Sequence, residues 1–174
     1  MDIPSFKIKM IGRYKYHVYL AYSYEGQEFI ADNVLPKLSE LGYKVFSQED
    51  IIPGLNLCSV IRKAIHVSRC VLFVVSSGCE DSNEWCIAVH MANEEAIQRR
   101  KHITLELLYD YNCLDGIPGA DKLIHQNYFM EFPRHGSDHE VTAFWTDFEH
   151  KLISIDNSAI ETSMTFLATN TERS

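Results

Sequence analysis

The chain has 174 residues and a mass of 20.0 kDa, a size at which one core buries about 70% of the surface an unfolded chain exposes, so a single domain without disulfide staples is expected. Hydrophobic residues make up 46% and charged residues 23%, which fits a soluble globular protein and excludes a collagen, a coiled coil or a disordered chain. The net charge of −8 argues against nucleic acid as a partner, because a phosphate backbone rewards a basic face. No apolar run approaches the roughly 20 residues of a membrane span, and the N-terminus lacks the charged-then-apolar layout of a signal peptide.

In chain order, His17 to Ser23 is β-branched and aromatic and predicts a buried strand. Phe29, Ile30, Val34, Leu38 and Leu41 recur at helical spacing, with Pro36 inside the pattern predicting a kink or a late start and Gly42 a stop. Tyr43 to Phe46 predicts a short second strand. The stretch from Ser47 to Gly54 is a loop closed by a Pro53-Gly54 turn, since proline presets the first turn position and glycine supplies the positive φ of the second. A helix is expected from Leu57 to Val67. Cys70 to Val75, an unbroken apolar run, predicts a central parallel strand covered on both faces. A loop from Ser76 to Asn83 leads into a third helix, Glu84 to Gln98, capped by Ser82 or Asn83. A fourth strand is predicted over Lys101 to Leu108 and a brief fifth over Tyr128 to Phe132. Phe144, Trp145, Phe148, Leu152 and Ile155 line one side of a last helix from Val141.

Strands alternating with helices predict a parallel sheet covered on both faces, hence an α/β flavodoxin-like three-layer domain of about five strands. Residues 14–155 form that domain, with a basic segment at 1–13 and a Ser/Thr/Asn-rich tail at 156–174 expected to be disordered. Residues 1–15 hold Lys7, Lys9, Arg13 and Lys15 against Asp2, an excess of +3 that leaves −11 for the rest. The five cysteines (Cys58, Cys70, Cys79, Cys86 and Cys113) are odd in number and include no CxxC, which favours a reducing compartment over a disulfide framework. His135 and His139 have HxxxH spacing without a third ligand nearby, so no metal site is expected.

Glycine-rich phosphate loops and the nucleophile-elbow and metalloprotease motifs are absent. The carboxyl ends of the strands, where sites of parallel sheets lie, offer hydroxyls and carboxylates and no basic anchor. Four stretches in order carry a resemblance. Tyr16 to Ser23 resembles the first signature box of Toll/interleukin-1 receptor (TIR) domains, and Glu49-Asp-Ile-Ile-Pro-Gly54 resembles the second, usually R-D-x-x-P-G. Val71 to Ser76 followed by Glu84-Trp-Cys86 is similar to the segment between boxes, and Phe144-Trp145 to the third box.

The resemblance implies an intracellular innate-immune signalling module that acts by homotypic TIR–TIR association, as a receptor tail at the inner face of the plasma membrane or as a free adaptor in the cytoplasm. Its partners would be other TIR domains, its own copies included, with homo-oligomerisation on activation and weak membrane-surface contact by the basic segment. The interface would be the loop after the second strand, Glu49, Asp50, Ile51, Ile52, Pro53 and Gly54. Glu49 replaces the usual arginine, and the apolar tip beside it reads either as an interface anchor or as a plug in which Ile51 or Ile52 folds back onto the body, two readings that can hold for different residues. The alternative implied is cleavage of NAD, in which some TIR domains use a glutamate in a W-x-x-x-E pattern to stabilise a developing positive centre. Counted from Trp85, that position is Val89, so no catalytic residue and no cofactor are expected. Tyr22, Ser23, Tyr24, Trp85 and Val89 would line what remains of a cleft, and Phe144 and Trp145 would hold the last helix on the core.

Overall fold

A computed structural model describes residues 13–110 and 129–171, with side chains as far as residue 155. Five strands form one sheet: β1 (Tyr16–Ala21), β2 (Val45–Ser47), β3 (Ser68–Val75), β4 (Thr104–Leu108) and β5 (Phe129–Glu131). Their order is β2-β1-β3-β4-β5 and every pairing is parallel, the doubly wound order that the alternation of elements predicts. All eight residues of β3 are buried, as its unbroken apolar run requires. Val71, Phe73 and Val75 pack with Trp85, Ala88 and Val89 on one face. Cys70, Leu72 and Val74 pack with Leu38, Phe148 and Leu152 on the other.

The helix after β1 is built of three pieces, Gln27–Phe29, a π-helical turn Ile30–Val34, and Leu35–Glu40, together α1. The amide of Leu35 reaches back five residues to the Ile30 carbonyl. Pro36 has no amide to give, and the π turn ahead of it absorbs the missing bond. The helix ends where glycine lets it. Gly42 takes φ 73°, its amide donates to the Ser39 carbonyl and that of Tyr43 to Leu38, both at 2.9 Å.

Helix α2 (Leu57–His66) starts at Asn56, whose side chain accepts from the Ser59 amide. Helix α3 (Asn83–Arg99) starts at Ser82, whose hydroxyl accepts from the Trp85 amide. At its far end Arg99 donates to the Glu95 carboxylate at 2.7 Å and to the carbonyls of Ile65, His66, Ser68 and Arg69. One guanidinium thus satisfies the open carbonyls at the end of α2 and ties α3 to the start of β3. Helix α4 (Asp138–Thr171) has a helical backbone past Ile155, where periodicity predicts its end, and through much of the tail expected to be disordered.

Most of the basic N-terminal segment, the connection after Asp110 with Cys113, and the last three residues lie outside the described residues. The four described cysteines are free thiols. No helix among the described residues is long and apolar enough to cross a membrane.

Candidate interaction site

The carboxyl ends of β1, β2 and β3 open onto a cleft of about 680 Å³, the place that a parallel sheet reserves for its site. Its walls are the turn after β1, the loop after β2 and the loop between β3 and α3, and they carry four carboxylates, those of Glu25, Glu49, Asp81 and Glu84. No lysine or arginine lines it among the described residues.

The loop after β2 is a built structure. Asp50 accepts from the Ser47 amide at 2.8 Å and from the Ser47 hydroxyl at 3.4 Å, closing a capping box around the short helical turn Gln48–Asp50. Asp50 therefore serves the loop's own shape. Ile51 is half-buried and packs against the core, so it is the plug. Ile52 is 64% exposed, and Leu55 beside it is exposed as well. Between them Pro53 and Gly54 form the turn, with Gly54 at φ 89°, so a side chain there would be strained. The opposite wall is held close by a second glycine. Gly78 has φ 85°, and a Cβ on it would run into the carboxylate of Glu25.

Of the five residues expected to line the cleft, only Tyr24 does so, exposed on its rim. Tyr22, Ser23, Trp85 and Val89 are buried beneath the floor. Tyr22 turns toward the α1–α4 side of the sheet, where burial and then Glu49 and Asp50 push its phenol up. Ser23 shares a 2.8 Å hydrogen bond with the Ser76 hydroxyl, joining the ends of β1 and β3. Trp85 donates its indole N–H to the Val74 carbonyl at 3.3 Å and meets Phe73 edge-on. Val89 has no exposed surface and sits in the same cluster as Tyr19 and Trp85.

A carboxylate does reach the cleft, from a position that the count from Trp85 passes over. Glu84 lines it because it lies in the first turn of α3, whose Cβ bonds tilt back toward the helix start. Beneath it Tyr19 is buried, and burial and then the Glu84 charge raise its phenol far above the ordinary range.

Phe144 and Trp145 do not line the cleft. Phe144 is buried, Trp145 half-buried, and both meet Phe132 and Phe148 in an aromatic cluster under α4. His135 and His139 are exposed on the loop and first turn leading into that helix.

A family model for the TIR domain matches residues 15–108, more than half of the chain and the whole region that builds this cleft. The chain belongs to the TIR domain family. Toll-like receptor 13 of Mus musculus is 26% identical over 149 residues, covering 80% of this chain and 15% of the receptor, so the chain spans about one-seventh of the length of that relative. Among solved structures, the TIR domain of the Toll-related receptor TRR-2 from Hydra magnipapillata is 20% identical with a TM-score of 0.59, covering 79% of this chain and 98% of that one. A chain of the RPS4–RRS1 TIR domain heterodimer is 13% identical with a TM-score of 0.54 over the same shares. At those identities the structural likeness is one of fold, and it agrees with the five-stranded parallel sheet of this TIR domain.

Proposed function

We propose that this TIR domain is an innate-immune signalling module that acts by docking onto other TIR domains, copies of itself included, through the loop after β2, and that it works inside the cell as a receptor tail or an adaptor. One observation carries the proposal. A rigid, capping-box loop thrusts Ile52, Pro53 and Leu55 into solvent at the rim of an acidic cleft, and exposed apolar side chains on a preorganised loop are how interfaces anchor themselves. The solved TIR heterodimer shows that two domains of this fold can pair. The basic residues 1–15 would add weak contact with an anionic membrane surface.

The test is Pro53→His. Sedimentation velocity of the purified chain should show concentration-dependent association that the substitution abolishes, with the melting temperature unchanged within about 2 °C, because a solvent-facing turn position touches no core. A collapse in melting temperature would make the loop a structural element instead.

Cleavage of NAD is the second reading, and Glu84 is the observation in its favour: it brings a half-buried carboxylate to the cleft. Against it, Val89 puts an aliphatic group in the core where the W-x-x-x-E pattern asks for a carboxylate, and four carboxylates without a cation around them repel a pyrophosphate. Incubation with NAD should release no nicotinamide. Turnover lost in Glu84→Gln would establish the second reading.

A further inference from the structure

Because every strand pairing is parallel, the starting ends of the strands share one side of the domain, and cations collect there. Lys15 and Lys44 immediately precede β1 and β2, and Arg99, Arg100 and Lys101 close α3 ahead of β4. Lys7 and Lys9 lie in the segment that enters the fold at this end through Arg13. The carboxyl end holds Glu25, Glu49, Asp81 and Glu84 instead.

Lys15 and Lys44 belong to a built feature. The Lys15 amide donates to the Val67 carbonyl and the His17 amide to the Lys44 carbonyl, each at 2.8 Å, while the Lys44 amide donates to His17 Nδ1 at 2.8 Å. Their ammonium groups lie 5.5 and 5.2 Å from the ring of Tyr16, which Phe46 meets edge-on. Two like charges are thus gathered on one fixed ring, and no carboxylate among the described residues pairs with either. Arg13 lies 5.3 Å from the ring of Tyr14 in the same way. Arg13, Lys15, Lys44 and Arg100 are exposed and Tyr14 and Tyr16 half-buried, whereas Arg99 is committed to Glu95 and four carbonyls.

Helix dipoles favour bases in a last turn, which accounts for Lys63 and Arg99. They do not account for Lys15 and Lys44, which precede strands. The buried titratable groups record the resulting field. Burial and then Arg69 and Lys44 lower His17 to about 4. Burial alone would raise the Tyr14 phenol, yet a hydrogen bond from Arg13 and the charges of Arg99, Arg13 and Lys101 bring it below its ordinary value. The eight residues of β3 hold the two ends about 26 Å apart, well beyond a screening length of about 8 Å at physiological salt. A surface that meets the amino end therefore meets a basic face, although the chain carries −8 overall.

Deepening the membrane contact proposed above, we infer that this amino end, with Arg13, Lys15, Lys44 and Arg100, is a docking face for an anionic lipid bilayer. Cations there meet the headgroup charge, and the half-buried rings of Tyr14 and Tyr16 suit the boundary between headgroups and water, where an amphipathic phenol is at home. Docked this way, the domain points its acidic cleft and the loop after β2 away from the membrane, free for partners. The bilayer supplies orientation, and the loop supplies recognition.

Co-sedimentation of the full chain with vesicles of equimolar phosphatidylserine and phosphatidylcholine tests it. The chain should bind at physiological salt, come off as salt rises toward about 1 M, where screening shortens to about 3 Å, and ignore vesicles of phosphatidylcholine alone. Lys15→Gln and Lys44→Gln should each weaken binding about fivefold and the double variant about 25-fold, with melting unchanged because both side chains stand in solvent. Arg134→Gln removes the same charge beside Asp110 at the other end of the sheet and should change binding by less than about twofold. On vesicles, acetylation of Lys15 and Lys44 should slow while carbodiimide labelling of Glu49 and Asp81 keeps its rate.

An equal loss in Arg134→Gln would make the contact a matter of net charge and overturn the face. Full binding by K15Q/K44Q together with a loss in K7Q/K9Q would move the contact to the segment ahead of the fold and overturn it as well. Displacement by inorganic phosphate, where chloride at the same ionic strength displaces nothing, would make this a site for free phosphate instead of a bilayer. A chain that ignores anionic vesicles altogether would overturn the face and the membrane contact, and would leave docking through the loop, measured without vesicles, untouched.

Discussion

The second and third signature stretches of this TIR domain meet opposite fates. Ile52, Pro53 and Gly54 stand in solvent on a loop held by its own capping box. Phe144 is buried and Trp145 half-buried against Phe132 and Phe148. A motif characteristic of a family thus marks an exposed loop in one place and a packing requirement in another. Only burial tells them apart: removing a buried aromatic costs stability, and altering an exposed turn costs recognition.

The contrast breaks first at the aromatic cluster. Phe148, with no exposed surface, should lose about 3–5 kcal/mol on substitution by alanine in urea unfolding, with association changed only in proportion to the unfolded fraction. A specific loss of association in folded Phe148→Ala would make α4 part of the interface.

The next largest effect belongs to Glu106 on β4. It is 1% exposed, neither carboxylate oxygen has a partner among the described residues, and burial raises its pKa to about 8. The folded chain therefore holds a proton there that the unfolded chain releases near its ordinary value of 4.5. This contribution to stability is fully present below that value and is lost as pH rises toward 8, by up to about 1.4 kcal/mol per pH unit. Glu106→Gln should flatten the dependence between about pH 5 and pH 8, while association through the loop keeps its own profile. An unchanged slope would show that Glu106 does not cause it.

The smallest effect is at Arg100, the one non-glycine residue with positive φ among those described, at 54°. It closes α3 with its amide on the Ile97 carbonyl and that of Lys101 on Ala96. Arg100→Gly should stabilise the fold by about 0.5–1 kcal/mol in thermal unfolding, and a loss would mean that the side chain contributes more than its backbone strain costs.

The sheet was legible in the sequence because its signals are strong and local. The apolar run over β3, Gly42 after α1 and Ser82 before α3 each announce their structure by composition alone. The form of α1 was half legible: Pro36 announces a disturbance, but a π turn rather than a late start is decided by packing of Ile30 and Val34 into the core. The site was legible in its loop and less so in its floor. Ile51 and Ile52 are chemically identical neighbours, and only the position of the core tells which one turns inward. Tyr22, Ser23 and Trp85 sit beneath the cleft because strand and helix residues next to a site still obey the alternation of their own element. Glu84 was missed because azimuth around a helix says little at its first turn, where side chains lean past the helix end. Glu106, one acid in an apolar strand, carried a signal that alternation alone would have exposed, since Leu105 and Leu107 face the opposite layer.

The pair Ile51→Ala and Ile52→Ala, each followed by melting temperature and by self-association, tests the docking claim most directly. Ile52→Ala should weaken association roughly tenfold or more and leave melting unchanged, whereas Ile51→Ala should lower melting by several degrees while the folded fraction still associates. If Ile52→Ala instead leaves association intact, the exposed loop is not where this domain meets its partners.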